Sequence, residues 1–185
     1  MRLLDARRLG LAGAAVAVIV GTVVAGCAEQ IPGTPTTDAA EVAAYKTSAA
    51  ASSSAAASSK AAAAQERAIE DNCTRFPTTT GAGVTAFNEF VTAHDNNAED
   101  YAAKREAAAT TLDNAATEVE SGVSTAGGAL PGELAGKFTD YVIAARTLAA
   151  ETRKMTYSSQ VGKLNDASRA INQARTAVHD ACRGR

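Results

Sequence analysis

The chain has 185 residues, of which 46% are hydrophobic and 4% aromatic, and its 18 basic and 20 acidic side chains give a formal net charge of −2. Proteins that bind nucleic acid usually carry a basic patch, and those that bind single strands add aromatic side chains for stacking. The mildly acidic, tryptophan-free sequence therefore argues against a nucleic-acid partner. Alanine is abundant, which favours helices and leaves a thin apolar core.

Residues 1–26 have the pattern of a signal peptide. Arg2, Arg7 and Arg8 precede a run of about 18 uncharged residues that ends at Gly26, and such a positive end stays in the cytoplasm while the following chain is exported. A run of that length could also just span a bilayer, and the arginine pair leaves twin-arginine export open. Four glycines dilute the run, so we favour a cleaved leader.

The residues that end this run, Val24-Ala25-Gly26-Cys27, resemble the lipobox of bacterial lipoproteins. The resemblance implies cleavage before Cys27, a diacylglyceryl thioether on its sulfur and further acyl chains such as palmitate. Each buried methylene contributes about 0.8 kcal/mol, so two or three chains hold a protein stably on a membrane. Cys27 thus predicts a lipid anchor on the extracytoplasmic face of the plasma membrane; a free thiol at this position is the alternative.

With Cys27 assigned to lipid, Cys73 and Cys182 remain, and an exported chain meets an oxidising compartment. We predict a disulfide between them. Closing a loop of about 110 residues contributes up to roughly 4–5 kcal/mol in the chain-entropy model. Metal binding by this pair is the alternative, but it would need further cysteines or a neighbouring histidine.

Residues 27–60 read as a tether that holds the folded domain off the membrane. Pro32, Gly33 and Pro35 favour a flexible spacer. Asp38 could cap a helix, yet alanine and serine dominate the sequence from there to Gln65 and no large side chain offers a packing face. We expect this tether to be unpacked and in part helical, and its serines and threonines could carry O-linked sugar.

Residues 61–185 predict an all-α domain, a small up-and-down helical bundle braced by one disulfide. A first stripe ends at Phe76-Pro77, because proline biases the preceding residue away from helix. Apolar residues then recur at three- and four-residue steps in three stretches. These stretches contain Phe87, Phe90, Val91, Tyr101, Ala108, Leu112, Ala115, Val119 and Val123; Leu134, Phe138, Tyr141, Val142, Ala145, Leu148 and Met155; and Val161, Leu164, Ala167, Ile171, Ala174, Val178 and Cys182.

The predicted disulfide constrains the helix count. In an up-and-down bundle, Cys182 returns to the level of Cys73 only if an even number of helices follows Cys73, whereas periodicity alone gives three. Either the chain runs on through Met155, leaving two, or it breaks at His94-Asp95-Asn96-Asn97, leaving four. We favour four, with a first helix over about 84–94, a capping box at Asn96 and Glu99 and Ser158 or Ser159 capping the last helix.

No catalytic, cofactor-binding or metal-ligating constellation is apparent. His94 reads as a turn or interface residue and His179 as a surface residue near the end of the last helix, where a cation is favoured. No recognised metal or nucleophile motif accompanies either histidine. The aromatic side chains Phe87, Phe90, Tyr101, Phe138 and Tyr141 read as core, with a ligand slot between helices left open.

The lipobox, the paired cysteines and the composition together resemble the small alanine-rich helical lipoproteins of actinobacterial cell envelopes. The resemblance transfers no functional residue beyond Cys27. We therefore expect a non-enzymatic interaction module with a protein partner in the envelope; the alternative is a carrier of an apolar or lipid-like ligand. The module predicts a filled core and an exposed apolar patch, and the carrier predicts an apolar cavity of about 300 Å3 or more.

Overall fold

The computed structural model describes residues 38–184. The predicted signal peptide, Cys27 and the spacer up to residue 37 lie outside the described residues. The chain divides into two units, Met1–Val42 and Ala43–Arg185, and the bundle belongs to the second. The helices are α1 (Ala39–Asp95), α2 (Tyr101–Thr125), α3 (Gly132–Lys154) and α4 (Gly162–Arg183), and residues 38–184 contain no strand. The predicted all-α bundle is confirmed.

The first helix starts where the sequence places its cap. The Ala40 N–H donates to Asp38 Oδ1 at 2.8 Å, which satisfies one of the free N–H groups at the helix start. Side chains from residue 43 to residue 67 are all exposed, and Ala68 is the first that is buried. Serine hydroxyls here bond back to carbonyls one turn earlier, as Ser52 does to Ser48. The tether residues 39–60 are thus unpacked, as expected, but continuously helical.

The predicted end of this helix at Phe76-Pro77 is wrong, because α1 continues through Pro77 to Asp95. A proline inside a helix deprives the carbonyl four residues earlier, here that of Cys73, of its N–H partner, at a cost of about 3 kcal/mol. Local packing offsets that cost. Phe76 is 4% exposed, and its ring packs edge-on against Phe138 and Tyr141 with centroids 5.5 and 4.9 Å apart.

The disulfide joins Cys73 to Cys182, with Cα atoms 5.6 Å apart and a sequence separation of 109. Cys73 lies within α1, so the second part of α1 and then α2, α3 and α4 follow it. These are four helical segments, the even number that the disulfide requires. The predicted four separate helices after Cys73 are wrong in one respect, because only three new helices begin after it. The helix predicted over about 84–94 is the continuation of α1, which supplies the remaining segment.

The predicted break after His94 is confirmed, whereas its capping is not. The turn contains Asn97 in the left-handed region, with φ 49°, a conformation that asparagine tolerates better than most residues. Asn96 does not cap α2. Its Nδ2 donates back to the Thr92 carbonyl at 3.0 Å, and α2 begins only after Asp100.

The last helix also begins without the predicted serine cap. Ser159 Oγ accepts the Thr156 N–H at 2.8 Å, within the loop before α4. Val161 occupies the position before the helix and makes no capping hydrogen bond through its side chain. Both errors have the same origin, because a serine or asparagine near a helix start can also bond to a local turn.

Helices α1 and α2 approach closely at two glycines. A Cβ added to Gly83 would lie 3.2 Å from Leu112 Cδ2, and one added to Gly122 would lie 2.5 Å from Asn72 Oδ1. Alanine dominates the surrounding core. Within residues 38–184, the fully buried alanines of α2 and α3 are Ala108, Ala109, Ala116, Ala145 and Ala149. Small side chains thus let the backbones pack closely, although each removes little apolar surface from water.

Exposed ion pairs join neighbouring helices. Lys104 of α2 lies 2.7 Å from Glu89 of α1, and Arg146 of α3 binds both carboxylate oxygens of Glu120 on α2, at 3.1 and 2.7 Å. Because these side chains are exposed to solvent, which screens their charges, each pair contributes little to stability. They align the helices more than they hold them together. Within residues 38–184, no helix has both the length and the apolar character needed to cross a membrane.

The disulfide should dominate the stability of this thin-cored bundle. Replacing Cys73 and Cys182 together by serine is expected to lower the free energy of unfolding by about 4–5 kcal/mol, because the 109-residue loop is released in the unfolded chain. Urea unfolding followed by circular dichroism measures the loss. Reducing agent should reproduce it in the natural chain and leave the double variant unchanged; equal stability of oxidised and reduced chains would contradict the prediction.

Candidate functional site

The bundle end away from the disulfide is built from the α1–α2 turn and the α3–α4 loop, and we call residues 94–101 and 155–161 the tip. Tyr157 joins the two connections. Its ring stacks on Tyr101 with centroids 4.4 Å apart and lies 5.9 Å from the His94 ring. Its hydroxyl donates to the Ala98 carbonyl at 2.8 Å. Tyr157 therefore fastens the α3–α4 loop onto the α1–α2 turn.

Four side-chain polar atoms are buried without a hydrogen-bond partner among the described residues. They are His94 Nε2, Tyr101 Oη, Arg105 Nε and Thr152 Oγ1. A buried polar group left unpaired costs about 1–3 kcal/mol. Burial raises the pKa of Tyr101, the charge of Arg105 opposes that rise, and Tyr157 adds to it. Arg105 has a further role, since its Nη1 donates to the Met155 carbonyl at the end of α3 at 2.9 Å.

A cleft of about 440 Å3 lies between α1 and α4 beside the tip. Apolar side chains form one part of its wall, and polar side chains form the rest. The apolar set is Phe87, Phe90, Val91, Met155, Val161 and Leu164, and the polar set is Asn88, His94, Asp95, Asn165 and Ser168. Two large side chains of the α3–α4 loop stay exposed, Tyr157 at 49% and Val161 at 43%. The exposed side chains of the α3–α4 loop thus lie beside this cleft, which we call the tip cleft.

The predicted aromatic cluster is divided between the two ends of the bundle. Phe90 and Tyr101 are buried near the tip with Phe87 against them, whereas Phe138 and Tyr141 pack with Phe76 near the disulfide. Sequence reasoning missed Tyr157 because it lies in a loop, outside any helical period. It missed Phe76 because the following proline marked the end of a helix.

The two histidines lie on different helices and make different contacts. His94 lies in the last turn of α1 with Nδ1 3.3 Å from Asp95 Oδ1. His179 is exposed on α4, where its Nδ1 accepts a hydrogen bond from Arg183 Nε at 2.9 Å. Across residues 38–184, no three histidine, cysteine or carboxylate side chains are grouped to hold a metal ion. The described part of the chain thus brings aromatic side chains together at the tip.

Tyr141 offers a test of how tightly the core excludes water. It is 1% exposed, and burial raises its pKa to about 12, a rise that Arg175 partly opposes. Between pH 10 and pH 12 the unfolded chain therefore loses this proton while the folded chain keeps it, so stability falls as the pH rises. The expected loss is roughly 2–3 kcal/mol. Urea unfolding at successive pH values measures it.

The control is Tyr141→Phe, which has no hydroxyl to ionise. Its unfolding free energy should decline less over the same pH range, with the remaining decline due to the other tyrosines. Parallel curves for both proteins would show that the Tyr141 hydroxyl titrates as it does in water.

Comparison with known proteins places the bundle in a family. Residues 55–183 match the family model described as the Rv2240c four-helix bundle domain, which covers more than two thirds of the chain. The matched range contains the disulfide, the tip and the last part of the exposed helix. The match fits the resemblance to helical proteins of actinobacteria. No curated protein and no solved structure matches the chain.

Proposed function

The chain belongs to the family of the Rv2240c four-helix bundle domain, and we propose that its bundle is a non-enzymatic interaction module held on the outer face of the plasma membrane by lipid on Cys27. The anchor is supported by the sequence of the leader. A positive end, an uncharged run and Val24-Ala25-Gly26-Cys27 follow one another in the order that lipid modification requires. Two or three acyl chains would hold the protein stably without a membrane-spanning helix.

The exposed surface of the tip is the observation that carries the interaction module. Tyr157 and Val161 leave nearly half of their side chains in solvent, beside the apolar wall of the tip cleft. Tyrosine is enriched at protein interfaces, since its rigid ring offers a large contact area and its hydroxyl a polar contact. A protein partner with an apolar side chain to insert would suit this surface.

The course of the first helix supports the same proposal. The exposed part of α1 enters the bundle at the disulfide end, because its first packed residues, Ala68 and Ile69, lie about one turn before Cys73. The tip lies at the other end of the same bundle. If the chain is anchored through its N-terminus, the exposed part of α1 therefore joins the bundle at one end, and the tip is presented at the other end.

Substituting the lipidated cysteine tests the anchor. Cys27→Ala should move the protein from the membrane fraction to the soluble extracytoplasmic fraction, because the sulfur that accepts the diacylglyceryl group is gone. Fractionation with immunoblotting, and metabolic labelling with a fatty acid, measure the change. Unaltered membrane retention of the variant would favour an uncleaved transmembrane leader.

Site-specific photocrosslinking in the native organism tests the tip. A photoreactive phenylalanine analogue at Val161 should give a discrete protein adduct, because this position lies within the proposed contact surface. Ile143 is the matched control, since it is a similar aliphatic side chain that is 60% exposed on α3. Adducts from position 161 but not from 143 support the module, and equal or absent adducts contradict it.

The tip cleft favours a second candidate, a carrier of an apolar or lipid-like ligand. Its volume of about 440 Å3 lies within the range of small-molecule sites, and its polar side chains could fix the orientation of a ligand. Gentle isolation of the full chain followed by lipid mass spectrometry separates the candidates. A stoichiometric bound lipid, lost on Leu164→Asn, would favour the carrier.

A further inference from the structure

A second cleft lies between α1 and α4 next to the disulfide, with a volume of about 350 Å3. Phe76, Pro77, Thr80 and Gly81 of α1 form one wall, and Arg175, Thr176, His179 and Arg183 of α4 form the other. The basic residues follow one another at steps of four, which places them on one face of α4. One wall of the cleft is therefore largely apolar and the other is basic.

The charge of this cleft contrasts with that of the domain around it. Residues 68–183 contain 15 acidic and 11 basic side chains, yet no acidic side chain of the described chain lines this cleft. Apolar walls on one side of a charged surface strengthen its field, because they exclude the water that would screen it. The cleft is thus a local positive site in an acidic domain.

Arg175 lacks the carboxylate partner that several other cations of the bundle have. Arg146 and Arg153 bind carboxylates at 2.7 Å, whereas Arg175 has no carboxylate within 4.0 Å among the described residues. Arg183 turns toward His179 and donates to its Nδ1, and its Nη2 lies 3.9 Å from Asp180 Oδ1. Guanidinium donors therefore remain available to an external anion.

The α1 wall leaves room for a ligand. A Cβ added to Gly81 would meet no atom within 4 Å, so the wall is open at this point. Thr80, which is 3% exposed, and Thr176 also line the cleft, and each carries a hydroxyl group. Hydroxyl and guanidinium donors together suit a group with several acceptor oxygens.

We propose that this cleft binds the phosphate group of an anionic ligand, with Arg175 and Arg183 as the charged contacts. The planar fork of arginine matches a phosphate, which it can bind through two parallel hydrogen bonds. A soluble phosphate ester and a phospholipid headgroup offer this same chemistry. The site is distinct from the tip and does not depend on the interaction proposed there.

Arg175 is the residue to test, because the presence of an arginine at position 183 can also be explained without a ligand. Arg183 lies in the last turn of α4, where a cation is stabilised by the negative end of the helix. Arg175 lies two turns earlier and gains nothing from that position. Arg169 is the matched control on the same helix, since it is exposed, is paired with Asp166 and lies outside the cleft.

Calorimetry on the full chain in a non-ionic detergent tests the proposal with two probes. Glycerol 3-phosphate represents a soluble ester, and micelles of the same detergent doped with phosphatidic acid represent a lipid headgroup, with undoped micelles as the blank. At least one probe should bind saturably and more weakly at higher ionic strength. Arg175→Gln should raise its Kd about tenfold or more, whereas Arg169→Gln should change it less than about twofold.

The probes identify the source of the phosphate. Binding of the ester alone assigns a soluble ligand, and binding of the doped micelles alone assigns a lipid headgroup. Equal thermal unfolding of the two variants verifies that Arg175→Gln folds, and Arg175→Lys should restore part of the affinity. Absence of saturable binding to both probes, or an equal effect of the two glutamine variants, would overturn the proposal.

Discussion

The covalent bond between Cys73 and Cys182 is the constraint on which the arrangement of this chain depends. It ties the middle of a 57-residue helix to the last turns of the bundle, and it lies close to the point where α1 changes from exposed to packed. An alanine-rich helix gains little from burial, so weak packing alone would hold this junction poorly. Along α1, the bond lies between Ala68, where the helix begins to pack, and Pro77, which removes one backbone hydrogen bond.

Small side chains account for much of the rest of the packing. Gly83 and Gly122 let α1 and α2 approach closely, and buried alanines continue that contact along α2 and α3. Aromatic side chains form two groups, with Phe76, Phe138 and Tyr141 toward the disulfide and Phe90, Tyr101 and Tyr157 at the tip. The bundle is thus close-packed along its length by small residues and filled near its ends by aromatic ones.

The sequence predicts the helical class, the disulfide and three of the turns because each has a local or covalent cause. It fails at Pro77, since the packing of Phe76 on Phe138 and Tyr141 of α3 outweighs the local bias of proline against helix. It also fails at the caps, where Asn96 and Ser159 bond within their turns. The candidate sites are harder still. Tyr157 lies in a loop, outside any helical hydrophobic period. Arg175, His179 and Arg183 lie on one face of α4, and they line a cleft only because α1 packs opposite that face.

The disulfide also decides how the domain would respond to mechanical load. If the chain is anchored through its N-terminus, tension that reaches α1 passes at Cys73 directly into the end of α4, and a covalent bond carries it. Helices α1 and α4 would then move together at this bond and would not separate one turn at a time. At the opposite end, the hydroxyl of Tyr157 on the Ala98 carbonyl couples the two connections. Pulling would therefore strain the bundle as one block.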